Sequence, residues 1–118
     1  MTHGGPLELT DQNFPAEVLA GEGLMLVDFH ATWCGPCRVI SPVVDALARE
    51  HAGRLKVGKV DVDANPETAA RYGVRAVPTI LIFRHGVVID RVVGAAPRAK
   101  LEAMVNHAIE EGSHAVSA

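Results

Sequence analysis

Residues 24–29 read Leu-Met-Leu-Val-Asp-Phe, apolar at every position but one. A strand with one wet face alternates apolar and polar residues. A near-continuous apolar run is what a strand covered on both faces requires. A sheet covered on both faces needs helices on each side, so this one segment points to an α/β architecture. The exception, Asp28, is then a carboxylate inside an apolar strand. That is costly unless it is neutral or used.

The run leads directly into Trp33-Cys34-Gly35-Pro36-Cys37, which holds the only two cysteines of the chain. Residues from about 34 to 51 have helical spacing, with Val39, Ile40, Val43, Val44 and Leu47 as the apolar stripe. Arg38, Asp45, Arg49 and Glu50 are left for solvent. Pro42 lies inside this helix and should kink it. The cysteine pair thus sits at a strand-to-helix junction, beyond the carboxyl end of a buried strand, where open α/β sheets place their sites.

The remaining elements alternate around this core. Residues 7–9 form a short strand candidate, and Thr10 should cap a helix running to about residue 20, with Pro15 in its first turns. Residues 55–62 read as a strand, and Asn65-Pro66 as a cap and first turn of a short helix ending by Gly73. Residues 79–83 and 87–93 are strand runs joined across Arg84-His85-Gly86, hence an antiparallel hairpin. Pro97 opens a last helix, striped by Leu101, Met104, Val105, Ala108 and Ile109. The expected fold is a mixed five-stranded sheet with helices on both faces. It should occupy residues 7–111, between a flexible arm at 1–6 and a frayed tail at 112–118.

Composition narrows the function classes. The chain has 118 residues, 48% hydrophobic and 21% charged, enough for one domain with its own core. The net charge is −3 with no basic cluster, which argues against a nucleic-acid surface. No apolar run approaches the roughly 20 residues needed to cross a bilayer, and the first residues lack the pattern of a secretory signal. The expected setting is the cytoplasm, with no membrane association and a monomeric state. In that reducing compartment a lone C-x-x-C is catalytic or metal-binding more often than structural.

Two thiols at positions i and i+3 of a helical turn lie within disulfide range, and should close a small, exposed, easily reduced ring. Cys34 lies where unpaired backbone N–H groups and the helix dipole favour a thiolate, so it is the attacking residue. Cys37, one turn inside, should be shielded and should resolve the mixed disulfide. Its proton needs a partner, and Asp28 is the candidate, with a carboxyl raised by burial and moderated by Lys59 of the neighbouring strand. Two other readings stand beside this one. The same apolar surface could serve a binding or scaffolding subunit, and the pair could be half of a zinc site, although zinc wants four ligands.

Val27-Asp28-Phe29, Trp33-Cys34-Gly35-Pro36-Cys37, Pro42, Lys59, Val77-Pro78-Thr79, Gly86 and Gly94 together resemble the thioredoxin family over most of the chain. The resemblance implies a thioredoxin fold and a reductant of protein disulfides that binds no cofactor of its own. It further implies a redox-active Cys34–Cys37 disulfide, supplied with electrons from NADPH by a flavin-dependent thioredoxin reductase. The partners implied are that reductase and disulfide-containing target proteins. It implies a cis bond before Pro78, backbone pairing of Val77 with a substrate segment, and a docking surface of Trp33, Gly35, Pro36, Ala76, Gly94 and Ala95. His30 departs from the tryptophan most members carry there. The expectation is that it supports the active-site loop by a hydrogen bond to Asp63.

Overall fold

The apolar run becomes the middle strand of a five-stranded sheet. The structure, a computed structural model, describes residues 5–117, the side chains of 113–117 excepted. The strands are β1 (Leu7–Leu9), β2 (Leu24–His30), β3 (Lys56–Asp61), β4 (Thr79–Arg84) and β5 (Val87–Val93). Their spatial order is β1-β3-β2-β4-β5. β3 runs parallel to both β1 and β2, whereas β4 is antiparallel to β2 and to β5. The helices are α1 (Gly35–Glu50), α2 (Pro66–Arg71) and α3 (Arg98–Ser117). This is the mixed α/β sheet expected, the thioredoxin fold.

Alternation along β2 feeds two cores. Leu24 and Leu26 join Ile80 and Ile82 under α1 and α3, where Ile40, Val44, Leu47, Leu101 and Val105 cover them. Met25, Val27 and Phe29 face the other way, toward Phe14, Val18, Val60, Leu81 and Phe83. There Phe14, Tyr72 and Phe83 meet with ring centroids 5.3–5.8 Å apart, in tilted and edge-to-face contacts. Each fully buried large side chain contributes roughly 1.5–3 kcal/mol, so both faces are needed to hold a domain of this size.

Val39 is the exception on α1. It was expected in the apolar stripe, yet it is 73% exposed. The stripe that reaches the sheet runs through Ile40, Val44 and Leu47, and Val39 lies to one side of it.

The first helical segment also differs from expectation. Thr10 does not cap it: the N-cap is Phe14, with no side-chain cap bond. Thr10 instead closes the turn ahead, its Oγ1 accepting from Asn13 N at 3.0 Å while Asn13 Oδ1 accepts from Thr10 N at 2.7 Å. The segment that follows, Pro15–Leu19, is π-helical, with Ala20 N donating to Pro15 O. An α-helix through residue 20 is replaced by this wider turn.

At α2 the expected cap is not the one used. Asn65 makes no side-chain cap bond. Asp11 reaches across instead, accepting from Thr68 N at 2.8 Å, Thr68 Oγ1 at 2.6 Å and Glu67 N at 3.3 Å. Asn65 Oδ1 in turn accepts from Asp11 N at 2.9 Å, which holds the Asp11 backbone in place.

The β4–β5 turn has positive φ at both central residues, 51° at His85 and 80° at Gly86, as a two-residue type I′ hairpin requires. A Cβ at residue 86 would run into the Leu19 carbonyl, so glycine is needed twice over. Residues 1–4 of the expected arm and Ala118 of the expected tail lie outside the described residues. The helical backbone of α3 continues to Ser117, past the boundary at 112.

Candidate active site

Cys34 is the N-cap of α1, with extended backbone (φ −90°, ψ 111°), and its sulfur accepts from Cys37 N at 3.1 Å. Gly35 and Pro36 form the first turn, where the missing proline N–H costs nothing. Cys34 and Cys37 are joined as a disulfide across a Cα–Cα distance of 5.3 Å. Arg38 Nη1 donates to Thr32 O at 2.7 Å and ties the helix start to the loop before it.

The ring is not exposed in the way the spacing suggests. Cys34 is 3% and Cys37 4% accessible, so burial does not separate the two sulfurs in the oxidised state. They sit with Ala31 in a small apolar cluster against Val62 and Val77. The difference between them is their place on the helix, one at the cap and the other one turn in.

The Val77-Pro78 bond is cis. Cys34 Sγ lies 3.7 Å from the Val77 carbonyl. Two hydrogen bonds fix this loop: Thr79 Oγ1 donates to Ala76 O at 2.6 Å, and Gly94 N donates to Pro78 O at 2.8 Å. The loop thereby brings Ala76, Val77, Gly94 and Ala95 to the same end of the sheet as the disulfide. Trp33, Pro36, Ala76 and Ala95 are exposed, while Gly35, Val77 and Gly94 are half-buried. Val93, 56% exposed and next to Gly94, adds an apolar side chain that sequence reasoning did not single out.

His30 and Asp63 do not pair. Among the described residues no hydrogen bond joins them, and the Asp63 carboxylate instead accepts from Trp33 Nε1 at 2.8 Å. His30 lies in register with Asp61 and lines a cleft with Glu8, Lys59 and Asp61. Partial burial pushes its pKa below the usual value, against the pull of Asp61 and with the help of Lys59.

Asp28 is 1% accessible, and its Oδ1 has no hydrogen-bond partner. Burial raises its pKa from 3.8 to about 6; the Lys59 charge opposes this and the Asp45 charge adds to it. Lys59 is its register neighbour on β3, but the ammonium binds Ser41 Oγ at 2.7 Å and Asp45 Oδ1 at 2.9 Å. Asp45, expected to be left for solvent, is thus part of the site's electrostatics, as is Ser41. The signal was present in the spacing: Cys37, Ser41 and Asp45 are i, i+4 and i+8 on one helix.

A buried disulfide at a helix cap, an unpaired buried carboxyl and an exposed apolar rim form a centre for thiol–disulfide exchange. Among the described residues no group of three or more His, Cys, Asp or Glu is arranged to hold a metal, and no helix is long and apolar enough to cross a membrane.

Residues 5–107 match the family model described as Thioredoxin. The chain is 48% identical over 99 residues to the thioredoxin of Porphyra purpurea, covering 84% of this chain and 92% of that protein. It is 49% identical over 94 residues to thioredoxin 1 of Nostoc sp., covering 80% and 88%. Against thioredoxin 2 of Chlorobaculum tepidum it is 48% identical over 95 residues, covering 80% and 87%.

Proposed function

Because the chain belongs to the thioredoxin family, and so is a dithiol–disulfide oxidoreductase that reduces protein disulfides, we infer a division of labour among its site residues. Cys34 attacks and Cys37 resolves. The observation that carries this reading is the position of Cys34 Sγ at the cap of α1, receiving the Cys37 N–H.

In the reduced protein the Cys34 thiolate attacks one sulfur of a target disulfide. A mixed disulfide forms and one target thiolate leaves. Cys37 then attacks Cys34 Sγ, the second target thiolate leaves, and the Cys34–Cys37 bond closes. Two electrons pass to the target. Asp28 takes the Cys37 proton, directly or through water; a carboxyl near 6 is suited to exchanging a proton around neutral pH. Lys59 moderates that carboxyl by its charge.

Targets dock on the rim of Trp33, Gly35, Pro36, Ala76, Gly94 and Ala95, and pair their backbone with Val77. Asp63 supports that surface by holding Trp33. Electrons return from NADPH through a flavin-dependent thioredoxin reductase that uses the same rim. The protein works as a monomer in the cytoplasm, where such a supply keeps the pair reduced.

Reduction of insulin disulfides with dithiothreitol as the electron source tests the assignment. Cys34→Ser is expected to abolish the catalysed rate, and a wild-type rate in that variant overturns it.

A further inference from the structure

Lys59 is the register neighbour of Asp28, yet its ammonium is engaged elsewhere. Ser41 Oγ at 2.7 Å and Asp45 Oδ1 at 2.9 Å hold it against α1. Among the described residues no hydrogen bond or ion pair joins Lys59 to Asp28, whose Oδ1 is buried without a partner. A lysine this near could instead pair with the buried carboxylate and favour its charged form.

We propose that Ser41 and Asp45 are positioning residues: together they hold the Lys59 ammonium against α1, away from Asp28, so that the Asp28 carboxyl stays unpaired and free to exchange a proton with Cys37. This rests on the reading of Asp28 as the proton partner of Cys37.

The physical basis is the competition between two carboxylates for one cation. An ammonium paired with Asp28 would hold it ionised and make it a weak base. Bound to Asp45, the same ammonium still lowers Asp28 by its charge, but the Asp45 charge offsets part of that effect, in the same sense as burial. The other groups around Asp28 do not replace this control. β4 presents Ile80 in register, without charge, and α3 contributes apolar Leu101 and Val105. β3 adds Asp61 on the same face, and β2 adds His30, whose pKa is lowered. Glu8, in register with Lys59 on β1, is exposed. From α1 come Cys37, Ser41 and Asp45, one stripe of a single helix. The resolving cysteine and the clamp therefore move together.

Asp28 is titrated through its carboxyl 13C shift in the oxidised protein, where neither cysteine ionises. D45N is expected to lower the midpoint by about 1 unit, the low end of what an opposite charge at close range does to a carboxyl. S41A should lower it less, and D45E should restore it. Since the clamp acts through Lys59, the D45N shift should shrink to less than about half in a K59M background. An unchanged midpoint in both D45N and S41A overturns the clamp, as does an undiminished shift in K59M. The pH profile of mixed-disulfide resolution is measured beside it. A profile that follows the midpoint supports the whole scheme. A midpoint that moves while the profile stays removes Asp28 from proton transfer and leaves the clamp standing.

Discussion

The indole Nε1 of Trp33 donates to Asp63 Oδ2 over 2.8 Å, tying the residue before the first cysteine to the loop that follows β3. An exposed tryptophan has many rotamers open to it, and this bond selects one. The ring is thereby held ready as a flat docking element, and targets need not order it on arrival.

Asp63→Ala should therefore weaken docking without harming the fold. The expected result is a roughly threefold rise in KM for a protein disulfide, the size of one lost exposed hydrogen bond, with kcat kept. Steady-state insulin reduction over a range of insulin concentrations measures it. An unchanged KM would show that the bond does not contribute to docking.

Cys37→Ser should stop the reaction after its first half. Attack by a tethered thiol is replaced by attack from solution, so the mixed disulfide should persist at least about 100-fold longer. Mass spectrometry of the protein mixed with a disulfide substrate reads the trapped adduct. Its absence, with Cys34 intact, would mean that Cys34 is not the attacking residue.

Asp28→Asn should stabilise the protein in a pH-dependent way. The folded pKa, about 6, lies above the ordinary 3.8, so the folded state holds the extra proton between those values. Stability from this group is full below 3.8 and is lost as pH rises through 6. At pH 7 the buried charge costs about 3 kcal/mol at 1.36 kcal/mol per unit. Urea unfolding should show the variant gaining stability of that order at pH 7 and far less at pH 4. An equal gain at both pH values would contradict the ionised, buried carboxylate.

Asp11→Ala should loosen α2 against the start of the chain. Its carboxylate is held below the ordinary range, first by the Thr68 hydroxyl and then by the backbone N–H groups of Thr68 and Glu67, with partial burial opposing. Its contribution is present above pH 3.8 and fades as pH falls through the lowered value. Thermal melts should show the variant a few degrees lower at pH 7, with the gap closing in acid. A gap that does not change with pH would exclude capping by the charged form.

The fold and the two cysteines were legible because both are written in local pattern. An apolar run, a helical stripe and a C-x-x-C at their junction leave few alternatives. Val39 lies outside the buried stripe, because periodicity alone does not say which side of a stripe meets the sheet. The pairing of strands, and with it Lys59 beside Asp28, was legible, but side-chain hydrogen bonds made across the sequence were not. Asp11 caps a helix more than fifty residues away, and nothing near Asn65-Pro66 announces it. Asp63 was assigned to His30 because both lie near one end of the sheet, yet Trp33 reaches it instead. Asp45 was expected to face solvent, but the lysine that β3 brings against α1 binds it together with Ser41, which carried no signal beyond its helical spacing.

β2 is third of the five strands, bonded to a parallel neighbour on one side and an antiparallel one on the other. Its amides turn alternately to β3 and to β4, so their exchange with solvent needs an opening at the centre of the sheet, expected when the whole domain opens. Asp28 and the approach to Cys34 are thus anchored to the last part of the protein to come apart. Redox cycling draws on a frame that does not loosen in stages, so heat inactivation and melting should arrive as one event.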